Sequence, residues 1–186
     1  MSVVDGQTSS VDAPSGAAAP ATSEASASTR APNIAILIVT WNRWEMAAAV
    51  LRALSKQTFP IDRMDVVVID NASTDGTTEQ LRLAFSPEML VTNPTSDAHL
   101  PDFRVPDERA GRNRLGFRSL TVVTNSGNHG GCGGFNTGFA FVDSVLQKNA
   151  PDERPDYVWL VDDDVDLPAD AAEQLTSTAE ADTTVG

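Results

Sequence analysis

Three carboxylates in a row, Asp162, Asp163 and Asp164, follow the apolar run Tyr157–Val161 without a break. Adjacent carboxylates repel one another unless a cation or basic groups offset them. Hard oxygen ligands of this kind suit Mg or Mn, which commonly take one or two carboxylates plus substrate phosphates. A solvated acidic turn is the plain alternative, but the position at the end of a buried strand favours metal or ligand binding. A second polar stretch, Asp70 to Gly76, ends another apolar run. There Asp70 and Asn71 can hydrogen-bond a base or ribose, or stabilise the turn, and Asp75 can cap the next helix. A third stretch, Asn125 to Gly138, holds six glycines, at 127, 130, 131, 133, 134 and 138. That density allows close backbone approach ahead of a helix whose N-terminus can receive an anion; tight helix–strand packing is the competing explanation. Arg43 could meet a phosphate or be an ordinary surface arginine.

The elements that position these groups are legible as apolar runs. Ile34–Val39, Asp65–Ile69, Leu120–Thr124 and Tyr157–Val161 read as short strands buried on both faces. Trp44 to Lys56 reads as a helix, with Met46, Val50 and Leu54 four apart. Further helices are expected over Thr77–Phe85, from about Gly133 to Gln147, and over Pro168–Ala179. Ser86 to Arg118 has no clear period, and most of it reads as a long irregular insertion with room for short elements. The resulting β-α-β-α-loop-β-α-β order predicts an α/β fold, a mostly parallel sheet with helices on both faces. Ligands of such sheets bind outside the carboxyl ends of the strands, where all these polar stretches fall. Met1 to about Pro32, rich in Ala, Ser, Thr and Pro, is expected to be a disordered tail, leaving 33–186 as the domain.

Composition narrows the chemistry. The 186 residues carry 26 acids against 13 bases, a net charge of −13. Nucleic acid is an improbable partner, because phosphate neutralisation needs clustered Lys and Arg. A phosphate-ester ligand then requires a cation to offset the two sets of negative charge. Cys132 is the sole cysteine, which rules out an internal disulfide and agrees with a reducing cytosol. With His99 and His129 the only histidines, a structural zinc site is not expected. Cys132 is expected to be a small packing residue, and Trp41, Trp44 and Trp159 to serve the core or turns. No apolar run approaches the ~18 residues of a membrane span. A cytoplasmic protein is expected, with peripheral association at the inner face of the plasma membrane left to further segments.

Four stretches, Val39–Arg43, Val68–Gly76, Asn125–Phe135 and Trp159–Asp164, stand in the order found in family 2 glycosyltransferases. The chain resembles that family, of GT-A fold, from about Asn33 to Leu167. The glycine-rich stretch with the Asp triplet particularly resembles bacterial galactofuranosyl- and rhamnosyltransferases that build cell-wall polysaccharides. The resemblance implies that Thr40 and Arg43 line a nucleotide pocket and that Asp70, with Asn71 beside it, hydrogen-bonds a pyrimidine. It implies that Asn125, Gly130, Gly131, Gly133 and Gly134 pass close to the nucleotide and donor sugar. Asp162 and Asp163 would flank the ribose and donor sugar, with Asp164, and Asp162 in a shared role, holding Mn or Mg. The implied partners are a UDP- or dTDP-sugar donor and a saccharide or lipid-linked acceptor.

Members of the family invert: an Asp or Glu deprotonates the acceptor hydroxyl, usually many tens of residues beyond the Asp triplet. Asp170, Glu173, Glu180 and Asp182 fall too soon, so no catalytic base is assigned. The expectation is therefore the donor- and metal-binding half of an inverting hexosyltransferase, inactive by itself. The alternative is a non-catalytic sugar-nucleotide-binding module or an inactive truncated remnant. A nucleotidyltransferase on a similar sheet would want a basic, glycine-rich loop after the first strand, where Trp41, Asn42 and Arg43 stand instead.

Overall fold

β1 (Ile34–Thr40) and β2 (Met64–Asp70) are runs of β-branched and aliphatic residues that bury almost every side chain. A strand with apolar groups on both faces needs cover on both, and the fold supplies it. The computed structural model describes residues 30–97, 100–106 and 111–182, and the expected tail up to residue 29 lies outside them. From Ala31 onward the chain forms one unit. α1 (Trp44–Leu54), α2 (Thr77–Phe85), β3 (Met89–Asn93), β4 (Ser119–Asn125), α3 (Gly130–Ser144), β5 (Tyr157–Asp162) and α4 (Ala171–Ala181) complete it. The strands form one sheet in the order β3-β4-β2-β1-β5, and every neighbouring pair is parallel. All five carboxyl ends therefore lie along one edge.

Alternation along the strands separates two cores. Ile34, Ile36 and Ile38 of β1 pack with α1, with Leu81 and Phe85 of α2 and with Ala172 of α4. Ala35 and Leu37 pack with Phe141 and Val142 of α3 on the other face. The buried stripe of α1 is Ala47, Ala48, Val50, Leu51 and Leu54, whereas Met46 is exposed. The period is thus helical as expected, with its centre rotated off Met46.

Two expectations need correction. β5, expected to be buried on both faces, is an edge strand that leaves Val158 and Leu160 exposed. The stretch from Ser86 does contain a short element: β3 alternates buried Met89, Val91 and Asn93 with exposed Leu90 and Thr92, as an edge strand does. Its outer side is met by an antiparallel bridge from Thr92 to Arg104. Asn113 then folds the return to β4, its Oδ1 accepting the N–H groups of Leu115, Gly116 and Phe117. The glycine stretch, secondly, is not a loop leading to a helix at 133. α3 begins at Gly130, so four glycines form its first turns. Among the described residues no helix is long and apolar enough to cross a membrane.

Candidate functional site

The carboxyl ends of β1, β2 and β5 and the start of α3 enclose a cavity of about 250 Å3. Thr40, Trp41, Arg43, Asn71, Asn128, Gly130, Gly131 and Asp163 line it together with Val39. Most of these wall groups are polar. A second cleft, between β5 and α4, is apolar, with Val158, Trp159, Ala172 and Leu175 on its walls. Its polar side chains are Tyr157 and Thr176, whose hydroxyl donates to the Ala172 carbonyl, whereas the first cavity brings together Thr40, Arg43, Asn71, Asn128 and Asp163.

Asp163 ties the cavity floor together. It is buried, unlike its neighbours Asp162 and Asp164. Its Oδ2 accepts the Thr40 hydroxyl at 2.7 Å, joining the ends of β5 and β1. Arg43 reaches in from the start of α1, with Nη1 3.5 Å from Asp163 Oδ1 and 3.4 Å from Asp164 Oδ2. Half-exposed at 53% of its side chain, the guanidinium answers part of the carboxylate charge and remains open to a ligand.

The loops after β1 and β2 clasp one another. Asn42 takes a left-handed conformation, φ 54°, which asparagine tolerates better than most residues. Its N–H donates to Ser73 Oγ at 2.8 Å, and its Oδ1 accepts the Thr74 N–H at 2.7 Å. This clasp leaves Trp41 50% exposed at the cavity mouth. Trp41, expected in packing, instead lines the cavity. An aromatic residue immediately after a strand that ends in a polar group was the available signal. Trp44 and Trp159 do pack against the core.

Four residues expected against the ligand stand behind the wall. Asp70 is 2% exposed; its Oδ1 accepts the Ser73 N–H at 2.9 Å and its Oδ2 the Thr78 hydroxyl. Asp70 thus holds the turn, and Asp75 holds the start of α2 through the N–H and hydroxyl of Thr77. Asn125 is likewise buried, donating to Asn71 Oδ1 at 3.1 Å. Gly133 is buried in α3. At Gly134 an added Cβ would lie 2.5 Å from Val39 Cγ1, so this glycine brings the helix onto β1. Gly130 and Gly131 have open space where a Cβ would stand, and they form the wall itself. Cys132, expected to pack, is exposed.

Asp70→Ala is expected to lower stability by about 1–2 kcal/mol, since two hydrogen bonds at one buried carboxylate are lost. Thermal unfolding tests this, and an unchanged midpoint would return Asp70 to a role toward the ligand alone.

The metal question turns on the donors present. Among the described residues no cluster of three or more His, Cys, Asp or Glu could hold an ion. Asp164 and Asp162 are nevertheless exposed carboxylates at one strand end, and two protein carboxylates with substrate phosphates suffice for Mn or Mg. The donor chemistry therefore fits.

Residues 35–91, from β1 into β3, match the profile of a family described as glycosyl transferase family 2. Solved structures match over more of the chain. The mannosyltransferase PcManGT from Pyrobaculum calidifontis, in complex with GDP-Man and Mn2+, is 25% identical with a TM-score of 0.52. That match covers 85% of this chain and 35% of that one. S. aureus TarS 1–349 in complex with UDP is 19% identical with a TM-score of 0.51, covering 80% of this chain and 32% of that one. The fold is that of the GT-A glycosyltransferases. This GT-A chain spans about a third of the length of those two chains. No curated protein sequence matches it.

Proposed function

We propose that this chain is the donor-binding part of a metal-dependent, inverting glycosyltransferase that takes its sugar from UDP or dTDP. The observation that carries the reading is the cavity: an exposed tryptophan, an arginine and a helix N-terminus surround one small space beside exposed carboxylates. The family match over β1–β3 and the GT-A fold support a glycosyltransferase. The printed ligands of the two similar structures, UDP and GDP-Man, are nucleotide donors of the class proposed. Galactofuranose or rhamnose is the proposed sugar, on the form of the Asn125–Phe135 stretch with its Asp triplet. A cell-wall saccharide or lipid-linked saccharide is the proposed acceptor, reached in the cytoplasm at the inner face of the plasma membrane.

In this reading the chain's own residues bind and orient. Trp41 gives the base a ring face, while Thr40 and Asp163 hold the strand ends at a fixed spacing. Arg43 meets the diphosphate, and the first turn of α3, whose N–H groups after that of Gly130 lack intrahelical partners, favours an anion. Asp164 and Asp162 would hold the divalent cation, which when bound offsets charge on the leaving diphosphate.

Titration calorimetry with UDP, dTDP, GDP and ADP in the presence of Mn2+ tests the reading. Pyrimidine diphosphates are expected to bind best. Trp41→Ala should weaken UDP by about 1–3 kcal/mol, the worth of base–aromatic stacking. Equal weak binding of all four nucleotides would overturn the proposal.

A further inference from the structure

We infer that Asn93, which lies outside the Asp70–Gly76, Asn125–Gly138 and Asp162–Asp164 stretches, is the positioning residue for the glycine wall of the cavity, acting through Asn125 and Asn71. Asn93 ends β3 and is 1% exposed. It stands in register with Asn125 at the end of β4, and its Nδ2 donates to Asn125 Oδ1 at 2.9 Å. Asn125 Nδ2 donates in turn to Asn71 Oδ1 at 3.1 Å. Asn71 Nδ2 donates to Asn128 Oδ1 and to the Gly130 carbonyl, both at 3.0 Å. Asn71 Oδ1 also accepts the His129 N–H at 3.2 Å, and Asn128 Oδ1 the Gly130 N–H at 2.8 Å.

Asn93 and Asn125 each donate toward the cavity and accept from behind, and Asn71 passes the series on to the wall, where it both donates and accepts. A head-to-tail chain of hydrogen bonds polarises its members in one sense, so the first member sets the direction of the rest. Asn93 is that first member: its Oδ1 accepts the Asp102 N–H at 3.1 Å, which leaves only the NH2 end to face Asn125. An amide accepts at one end and donates at the other, whereas an ionised carboxylate of the same size only accepts and cannot serve both neighbours. Asn93→Asp would place an acceptor against Asn125 Oδ1. Asn125 must then turn or lose its partner, and the reversal reaches Asn71 and the backbone at His129 and Gly130.

The test uses the full 186-residue chain, with Asn93→Asp and the milder Asn93→Ser. Amide hydrogen exchange is read at His129 and Gly130, and UDP affinity is read with Mn2+. Loss of one hydrogen bond corresponds to about a tenfold change. Exchange at His129 and Gly130 is expected to quicken by about tenfold in Asn93→Asp while Val67 and Val68 in β2 keep their protection. The UDP dissociation constant should rise by a similar factor, a readout that rests on the nucleotide-binding reading. Faster exchange spread along β3 and β4, with His129 and Gly130 unaffected, would overturn the inference and make Asn93 a structural residue only. Should the unsubstituted chain bind no nucleotide, the functional reading falls, and exchange alone still decides for or against the relay. Should it bind UDP and Asn93→Asp bind equally with unchanged exchange, the relay falls and the functional reading stands.

Discussion

Gly134→Val is expected to destabilise the domain by about 3 kcal/mol, the upper end of what overpacking a well-filled interior costs. The ideal Cβ at 134 lies 2.5 Å from Val39 Cγ1, 3.0 Å from Cγ2 and 3.3 Å from Cβ. Val39 cannot swing aside easily, because a β-branched side chain is stiff at χ1 and its strand is paired on both sides, with β2 and β5. Helix α3 would have to lift off β1 or β1 to bow. Gly138 makes a graded control. Its Cβ would meet Leu37 Cδ1 at 2.9 Å and Ile69 Cδ1 at 3.1 Å, the far ends of longer side chains that yield at lower cost. Gly131 has nothing within 4 Å, so Gly131→Ala should cost no stability and gain up to about 1 kcal/mol of helix propensity. Urea unfolding of the three variants is expected to rank them 134, 138, 131 in falling damage. Adding Val39→Ala to Gly134→Ala should recover part of the loss. A Gly134→Val chain as stable as the parent would mean that α3 does not seat on β1 as described.

This series also shows what the sequence could and could not disclose. Six glycines in one stretch signalled close approach, but approach to a ligand and approach to a sheet read alike. Gly130, Gly134 and Gly138 share one helical spacing, so only the contacts of the folded chain divide Gly134, against Val39 of β1, and Gly138, against Leu37 of β1 and Ile69 of β2, from Gly130 and Gly131 at the cavity. The buried strands were legible because runs such as Ile34–Val39 have no other stable use. β3 was not, because Met89–Asn93 has two exposed positions and lies among Pro- and Arg-rich neighbours. Missing it hid Asn93 as well. Asp70 and Asn125 were correctly placed at strand ends, yet a side chain that braces a turn has the same type and position as one that meets a ligand. Trp41 ran the other way: tryptophan is usually buried, yet this one lines the cavity half-exposed, next to the clasp made by Asn42.

Asp164→Asn is expected to weaken UDP binding when a divalent cation is present and to strengthen it when none is. Asp162, Asp163 and Asp164 bring three carboxylates to one strand end, and Arg43 reaches two of them, at 3.5 Å from Asp163 and 3.4 Å from Asp164. A diphosphate arriving there meets like charge. Two unit charges 4 Å apart interact by about 4 kcal/mol at an effective dielectric near 20, which is ample to suppress binding. Mn2+ should therefore raise UDP affinity by about a hundredfold, or about 2.7 kcal/mol. Asp164→Asn removes one cation ligand and should abolish most of that gain. Without metal the same substitution removes a repelling charge and frees Arg43 from its nearer partner, so UDP binding should strengthen. A residue that only held the fold together would weaken binding in both conditions. Asp163→Asn is expected to behave in that second way, since Asp163 is buried and its Oδ2 accepts the Thr40 hydroxyl. Calorimetry of the three proteins with Mn2+ and with EDTA, at one fixed ionic strength because exposed charges are screened by salt, separates these cases. Equal UDP affinity with and without metal in the unsubstituted chain would sink the proposed cation site, and Arg43 would then be the group that receives the diphosphate.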